Sequence, residues 1–204
     1  MPAKPCAIIF DFGGVLIHWD PRRVYRSLLE SDAEIDAFFR EVGFHEWNRE
    51  QDRGRRTWAD AVTGLAARFP HRRELIRAYD EQWEESIGGP IEGSVRILEG
   101  LHSSGHRLVG LSNWSPEKFR LTRPRYEMFG LFDEIIVSGE IGLLKPEREI
   151  FDLTLRTIGC RAFDCLFIDD HQPNIIAASA LGFRTILFRS PEQLEEELRR
   201  EGVL

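Results

Sequence analysis

The sequence predicts an α/β fold, in which a parallel sheet carries helices on both faces and is interrupted by an all-helical insert. Three observations lead there. Short apolar, β-branched-rich runs at 6–11, 107–112, 134–138, 165–169 and 184–188 read as buried strands. Helical patterns lie between them, and such alternation builds a parallel sheet covered on both sides. Residues 20–88 break the alternation and contain no convincing strand.

The first run ends in Asp11 and meets Gly13-Gly14, so a buried strand leads into a tight loop. In the insert, apolar and aromatic residues recur at helical spacing: Val24/Leu28, Ile35/Phe38/Phe39, Phe44/Trp47, Trp58/Val62/Leu65/Phe69 and Leu75/Ile76/Tyr79/Trp83. Gly43, Gly54, Pro70 and Gly88-Gly89-Pro90 punctuate them. Beyond the insert, Val95, Leu98 and Leu101 share a helix face, as do Phe151, Leu155 and Ile158. Pro173 opens a helix with Ile176, Ala180 and Leu181 on its apolar stripe. Ser190-Pro191-Glu192-Gln193 has the capping-box form and starts a last helix, with Leu194 and Leu198 inward. The expected division is a Rossmann-like core over 1–18 and 90–204 and a helical cap over 19–89.

Bulk properties narrow the function. A chain of 204 residues with 42% hydrophobic and 30% charged content fits a globular core with a smaller insert. The net charge of −7 argues against a nucleic-acid or anionic-membrane surface. No apolar run approaches the roughly 20 residues that span a bilayer, and Met1-Pro2-Ala3-Lys4-Pro5 lacks a secretory apolar segment, so the expected location is cytoplasmic. Cys6, Cys160 and Cys165 lack zinc-site spacing and read as thiols in a reducing compartment. Arginine supplies nearly all basic charge; Lys4, Lys118 and Lys145 are the only lysines. A lysine kept in such a chain points to a site that uses a compact point charge.

Four stretches carry the chemistry: Ile8-Ile9-Phe10-Asp11-Phe12-Gly13-Gly14-Val15, Leu111-Ser112-Asn113, Leu144-Lys145-Pro146 and Phe167-Ile168-Asp169-Asp170. Asp11, Ser112 and the Asp169-Asp170 pair fall at the carboxyl ends of strands, where ligands bind to open parallel sheets. A carboxylate and a phosphate about 4 Å apart repel by roughly 4 kcal/mol at an effective dielectric of ~20. A hard cation removes that penalty, and Mg²⁺ takes one or two carboxylates plus phosphate oxygen and water. Asp11 and Asp170 supply carboxylates and Gly13 a backbone carbonyl. Ser112 and Asn113 donate to the transferring group, and Lys145 neutralises its growing charge. Attack by Asp11 then gives an aspartyl-phosphate that water hydrolyses. Singly, each residue has a plainer reading as a cap, turn or surface charge; their order and strand-end placement make the joint pattern specific.

At these residues the chain resembles the haloacid dehalogenase superfamily of hydrolases, over roughly residues 6–190, and the branch with a helical cap after the first motif. The resemblance implies Asp11 as nucleophile, Ser112 as the second-motif hydroxyl, Lys145 as the third-motif lysine, and Asp169 and Asp170 as acidic metal ligands beside Asp11 and Gly13. Dehalogenases of the family lack the acidic pair; phosphatases keep it. Phe167-Ile168-Asp169-Asp170 with Asn174 is similar to the sugar-phosphate phosphatases and the phosphatase domain of soluble epoxide hydrolase. The implied function is a Mg²⁺-dependent phosphatase of a small phosphorylated metabolite, with a 2-haloacid dehalogenase or a phospho-ligand binder of little turnover as alternatives. Oligomeric state stays open.

One departure stands out. Most phosphatases of this family carry Asp where Gly13 lies, as general acid and base, and losing such a group typically costs ~10²–10⁴-fold. His18, Asp20 and His171 are candidate substitutes, each with a plainer structural or solvent-facing reading. In the cap, His45, Trp47, Arg49, Gln51 and Arg53 cluster before Gly54, with Arg53 the candidate for binding a distal part of the substrate. Gly88-Gly89-Pro90 is the expected hinge.

Overall fold

A computed structural model describes residues 4–204; residues 1–3 of the start discussed above lie outside it. The chain runs β1 (Ala7–Phe10), β2 (Ile17–Trp19), α1 (Arg22–Tyr25), α2 (Asp32–Val42), α3 (Phe44–Asp52), α4 (Trp58–Arg68), α5 (Arg73–Glu81) and β3 (Ile87–Pro90). It continues with α6 (Glu92–Ser103), β4 (Leu108–Ser112), α7 (Pro116–Thr122), β5 (Glu134–Val137), α8 (Ser138–Ile141) and α9 (Arg148–Ile158). The last elements are β6 (Cys165–Asp169), α10 (Gln172–Ala180), β7 (Arg184–Leu187) and α11 (Pro191–Arg200). Each of the five predicted strand runs forms a strand of one parallel sheet, in the order β5-β4-β1-β6-β7.

Period-two alternation sorts the central strands onto two cores. Ile8 and Phe10 of β1, with Leu166 and Ile168 of β6, face Leu98 and Leu101 of α6 and Leu194 and Leu198 of α11. Ala7, Ile9, Val109, Leu111 and Phe167 face the other way, onto Ile150, Phe151 and Ile158 of α9 and Ile175 and Ala178 of α10. The last helix is capped as its sequence predicts: Ser190 Oγ accepts from the Gln193 N–H at 3.2 Å, while Gln193 Oε1 accepts from the Arg189 N–H at 3.1 Å. The α10 stripe differs from expectation: of Ile176, Ala180 and Leu181, only Leu181 packs against the core. Ile176 is 60% exposed, and Asn174, Ile175 and Ala178 face inward, because the helix starts beside Asp169 and turns Asn174 onto it.

β2 and β3 form an antiparallel ribbon that sequence reading does not find. β2 has only three residues, and β3 contains Gly88-Gly89-Pro90, a composition that reads as a loop. The ribbon forms the stem of the helical cap, so the glycines expected as a hinge pair with a partner strand. Gly88 passes close to that partner, where an added Cβ would lie 2.8 Å from His18 Cβ. The cap has its own aromatic centre around Tyr25 and Tyr79, with Phe39 and Phe44 stacked at 4.1 Å.

The expectation of three free thiols is corrected. Cys6 and Cys160 are joined in a disulfide, leaving Cys165 free and buried. The partners are 154 residues apart, and the pairing of β1 with β6, where the Cys6 N–H donates to the Asp164 carbonyl, brings their segments together. The reducing-compartment argument drawn from unpaired cysteines therefore falls away. Among the described residues, no helix is long and apolar enough to cross a membrane.

Candidate active site

The sheet order places β1 at its centre, with β4 on one side and β6 on the other. The chain switches sides of the sheet there, and the carboxyl ends of these three strands open into one crevice. Asp11 follows β1, Ser112 ends β4 and Asp169 ends β6. With Asp170, they line or underlie a cavity of about 290 Å³ that also reaches the cap.

Lys145 organises the charge. Its side chain is almost wholly buried, and its Nζ donates to the Leu111 carbonyl at 2.8 Å and to Asp169 Oδ2 at 2.7 Å, and lies 2.9 Å from Asp11 Oδ1. Burial alone would push the ammonium toward the neutral form. Asp11 and Asp169 outweigh it and hold its pKa above the ordinary lysine value. Asn113 positions this lysine from behind: its Oδ1 accepts from the Lys145 N–H at 2.8 Å and its Nδ2 donates to the Lys145 carbonyl at 2.9 Å. The Asn113 side chain thus acts on the Lys145 backbone, and the residue also lines the cavity.

The carboxylates divide the work. Asp169 is fully buried and densely bonded, taking hydrogen bonds from Lys145 Nζ, the His171 N–H at 2.8 Å, and Asn174 Nδ2 at 3.0 Å to each oxygen. Asp170 is exposed to the cavity. Its carboxylate lies hard against Gly14, where φ is +75° and an added Cβ would fall 2.1 Å from Asp170 Oδ2. That loop therefore needs glycine twice, for backbone conformation and for space. One carboxylate oxygen from each of Asp11, Asp169 and Asp170 falls within 4.8 Å of the others. Burial, opposed by Lys145 and reinforced by Asp169 and Asp170, pushes the Asp11 carboxyl up to about 7. Burial and then Asp169 also raise Asp170. Three acidic groups facing one ammonium leave an excess of negative charge that a divalent cation would relieve.

The far wall is shared by cap and core. Trp19 and Trp83 line it from the cap and Trp114 from the loop after β4, and the buried indole nitrogens of Trp83 and Trp114 have no hydrogen-bond partner among the described residues. α3 contributes Asn48 and Asp52, one helical turn apart. Asn48 Nδ2 donates to Asp52 Oδ2 at 3.3 Å. Burial raises the Asp52 carboxyl well above the usual range; the Ser115 N–H opposes this and the charge of Asp11 adds to it.

The cap residues singled out from sequence sit elsewhere. Arg53 makes a two-pronged ion pair with Glu147, at 3.0 and 2.6 Å, and does not line the cavity. Gln51 bonds back to the Trp47 carbonyl, and His45 and Arg49 also lie outside the lining. The reason is helix phase: positions 48 and 52 face the cavity, while 45, 49 and 53 are turned aside. Two of the general-acid candidates are placed away from the chemistry. Asp20 accepts the Arg22 N–H at the start of α1 and pairs with Arg26, and His18 does not line the cavity. Exposed His171 does line it. Asn48 and Asp52 escape sequence reading because a polar i, i+4 pair on a polar helix looks like any solvated face.

Known proteins are similar to this one along most of the chain. Residues 7–182 match the haloacid dehalogenase-like hydrolases, and the chain belongs to that family of enzymes. It is 26% identical to the sesquiterpene phosphatase astK of Aspergillus oryzae, over 86% of each chain. It is also 26% identical to the D-ribitol-5-phosphate phosphatase of Bacteroides thetaiotaomicron, over 94% of this chain and 95% of that one. The drimenol cyclase drtB of Aspergillus calidoustus is 26% identical over 94% of this chain, which spans 35% of that protein's length. In structure, it is similar to a family enzyme of Bacteroides thetaiotaomicron solved as a magnesium complex, with a TM-score of 0.73 and 21% identity over 97% of this chain and all of that one. It is also similar to the L-2-haloacid dehalogenase of Xanthobacter autotrophicus, with a TM-score of 0.62 and 18% identity over 98% of this chain and 84% of that one.

Proposed function

We propose that this hydrolase is a Mg²⁺-dependent phosphatase that works through a phosphorylated Asp11. The observation that carries this reading is the convergence of Asp11, Asp169 and Asp170 around Lys145. The donor set fits Mg²⁺: hard oxygens, in excess over the single ammonium, with Asp170 open to the cavity. Asp11 and Asp170 would hold the ion, with the Gly13 carbonyl as a further oxygen. Asp169 is bonded on both oxygens and sets the position of its neighbours. The ion, when bound, neutralises phosphate charge so that a carboxylate can approach it.

The remaining steps belong to the chain. Lys145 keeps one Asp11 oxygen fixed and holds positive charge where the phosphoryl oxygens gather. The Ser112 hydroxyl, at the end of β4, is offered to those oxygens. Asp11 attacks phosphorus, the ester oxygen leaves, and water then releases inorganic phosphate. The tryptophan wall suits an organic group with apolar surface, and the two unpartnered indole N–H groups suit an oxygen-bearing one. The names of the two phosphatase relatives, one for a sesquiterpene and one for a sugar alcohol, span that range.

The reading is tested by phosphate release from a panel of polar and apolar organic phosphates. Turnover should need Mg²⁺, stop in EDTA and vanish in Asp11→Asn. Metal-independent halide release from 2-haloacids, with no phosphate release, would replace it with the dehalogenase alternative.

A further inference from the structure

The Gly13 loop lacks a group to give a proton to the leaving alcohol, and the cavity offers one from its opposite wall. We propose that Asp52, carried by the cap on α3, is the general acid and base of this site. The proposal rests on the phosphatase reading above.

Four observations support it. Asp52 lines the same cavity as Asp11, Ser112 and Lys145, although it belongs to the other half of the molecule. The cavity is open at Gly13, which also lines it, since a Cβ there would meet no atom within 4 Å. Its hydrogen-bond partners are the neutral amide of Asn48 and the Ser115 N–H, and no cation among the described residues pairs with it, so it can hold or release a proton without breaking an ion pair. Asn48 is itself 6% exposed, and its Oδ1 has no partner.

The carboxyl is also held in register with the core. Ser138 Oγ, at the start of α8, donates to the Asp52 carbonyl at 2.6 Å. Two residues on, Gly54 lies so close to the Gly139 carbonyl that a Cβ would fall 2.1 Å from its oxygen. The groups around Asp52 favour its protonated form. Burial does most, Asp11 adds to it from the core side, and the Ser115 N–H opposes it from the start of α7. On the cap side, Tyr79 of α5 is itself pushed up by burial and by the charge of Asp52. Asp170, His171 and Lys145 are the other titratable groups lining the cavity.

The proton inventory closes over two steps. Asp11 attacks phosphorus and the bond from phosphorus to the ester oxygen breaks. The bonding pair leaves on that oxygen, which takes the Asp52 proton and departs as the alcohol. Water then attacks the phosphorus of phosphorylated Asp11 and gives its proton to the Asp52 carboxylate. The bond from phosphorus to the Asp11 oxygen breaks, hydrogen phosphate leaves, and both aspartates return to their starting states.

The test is the dependence on leaving group. Wild type, Asp52→Asn and Asp52→Ser are compared on an alkyl phosphate and on p-nitrophenyl phosphate, with melting curves to establish folding. Losing the acid should cut alkyl-ester turnover by ~10²–10⁴-fold. On the aryl ester, whose leaving group needs no proton, both variants should still give a stoichiometric burst of nitrophenol before slow turnover. Gly13→Asp added to Asp52→Asn should restore alkyl-ester hydrolysis. A loss equal on both esters and without a burst, or a change in KM alone, would make Asp52 a structural or binding residue and overturn the proposal. So would unchanged alkyl-ester turnover. If wild type hydrolyses no phosphate with Mg²⁺, the phosphatase reading itself fails, and this inference with it.

Discussion

Lys145 is the residue on which the site's charge balance turns. It offers its ammonium to Leu111, Asp11 and Asp169 together, inside a wall that water barely reaches. Removing one partner of a buried ion pair typically costs ~3–5 kcal/mol, because the other charge stays buried and unpaired. Lys145→Met should therefore lower the urea midpoint sharply as well as abolish turnover. Asp11 behaves in the opposite sense. Its folded pKa lies above that of an unfolded Asp, so the folded chain holds the proton more tightly. Stability is kept below the ordinary carboxylate pKa and drains away as pH rises toward about 7. In EDTA at pH 8, Asp11→Asn, which leaves Lys145 paired with Asp169, should melt a few degrees above wild type, as about 1 kcal/mol gives in a domain of this length. At pH 5 the gap should shrink, and a gap independent of pH would contradict the charge argument.

Elements place these residues, and their legibility in sequence follows their physics. The central strands β1, β4 and β6 are readable because both faces are buried and each is dominated by apolar residues, and the edge strands β5 and β7 because of their β-branched runs. α11 is readable because its cap is spelled in four consecutive residues. The β2–β3 ribbon is not, since three residues and a Gly-Gly-Pro segment carry no strand pattern without their partner. Catalytic candidates at strand ends are visible because topology fixes where strand ends go. Asp52 and the Arg53–Glu147 pair depend on helix phase and on docking across 94 residues, which spacing does not encode. The loop after β1 is where local geometry is tightest. Gly14→Ala would drive a methyl group into the Asp170 carboxylate and strain a left-handed backbone. It should weaken Mg²⁺ binding by tenfold or more, an order-of-magnitude expectation from ~1–2 kcal/mol of strain at a special φ. Calorimetric titration of the variant checks this, and wild-type affinity would count against it.

At the scale of the molecule, the cap and core are stitched into a closed form by contacts around the cavity. Arg53 grips Glu147, Lys118 of α7 pairs with Asp80 at 2.5 Å and lies over the Trp58 ring, and Trp58 Nε1 donates to Ser115 Oγ at 2.8 Å. A cap that opened would have to break these together, and under the proposed function their sum would set how often substrate enters and product leaves. The Arg53–Glu147 pair is the most separable, lying outside the cavity lining. Arg53→Ala should change kcat and KM by a few-fold each, through the open–closed balance, while leaving the Mg²⁺ affinity of the acidic cluster unchanged. Steady-state kinetics beside metal titration would show this, and a large loss of metal binding would contradict it. The central claim, that folding gathers the acidic residues following β1 and β6 into a cation site, is tested most directly by calorimetric titration of Mg²⁺ into the wild type and Asp170→Asn. One saturable site in the wild type, abolished or greatly weakened in the variant, is the predicted result. No binding in the wild type, or equal binding in both proteins, would contradict it.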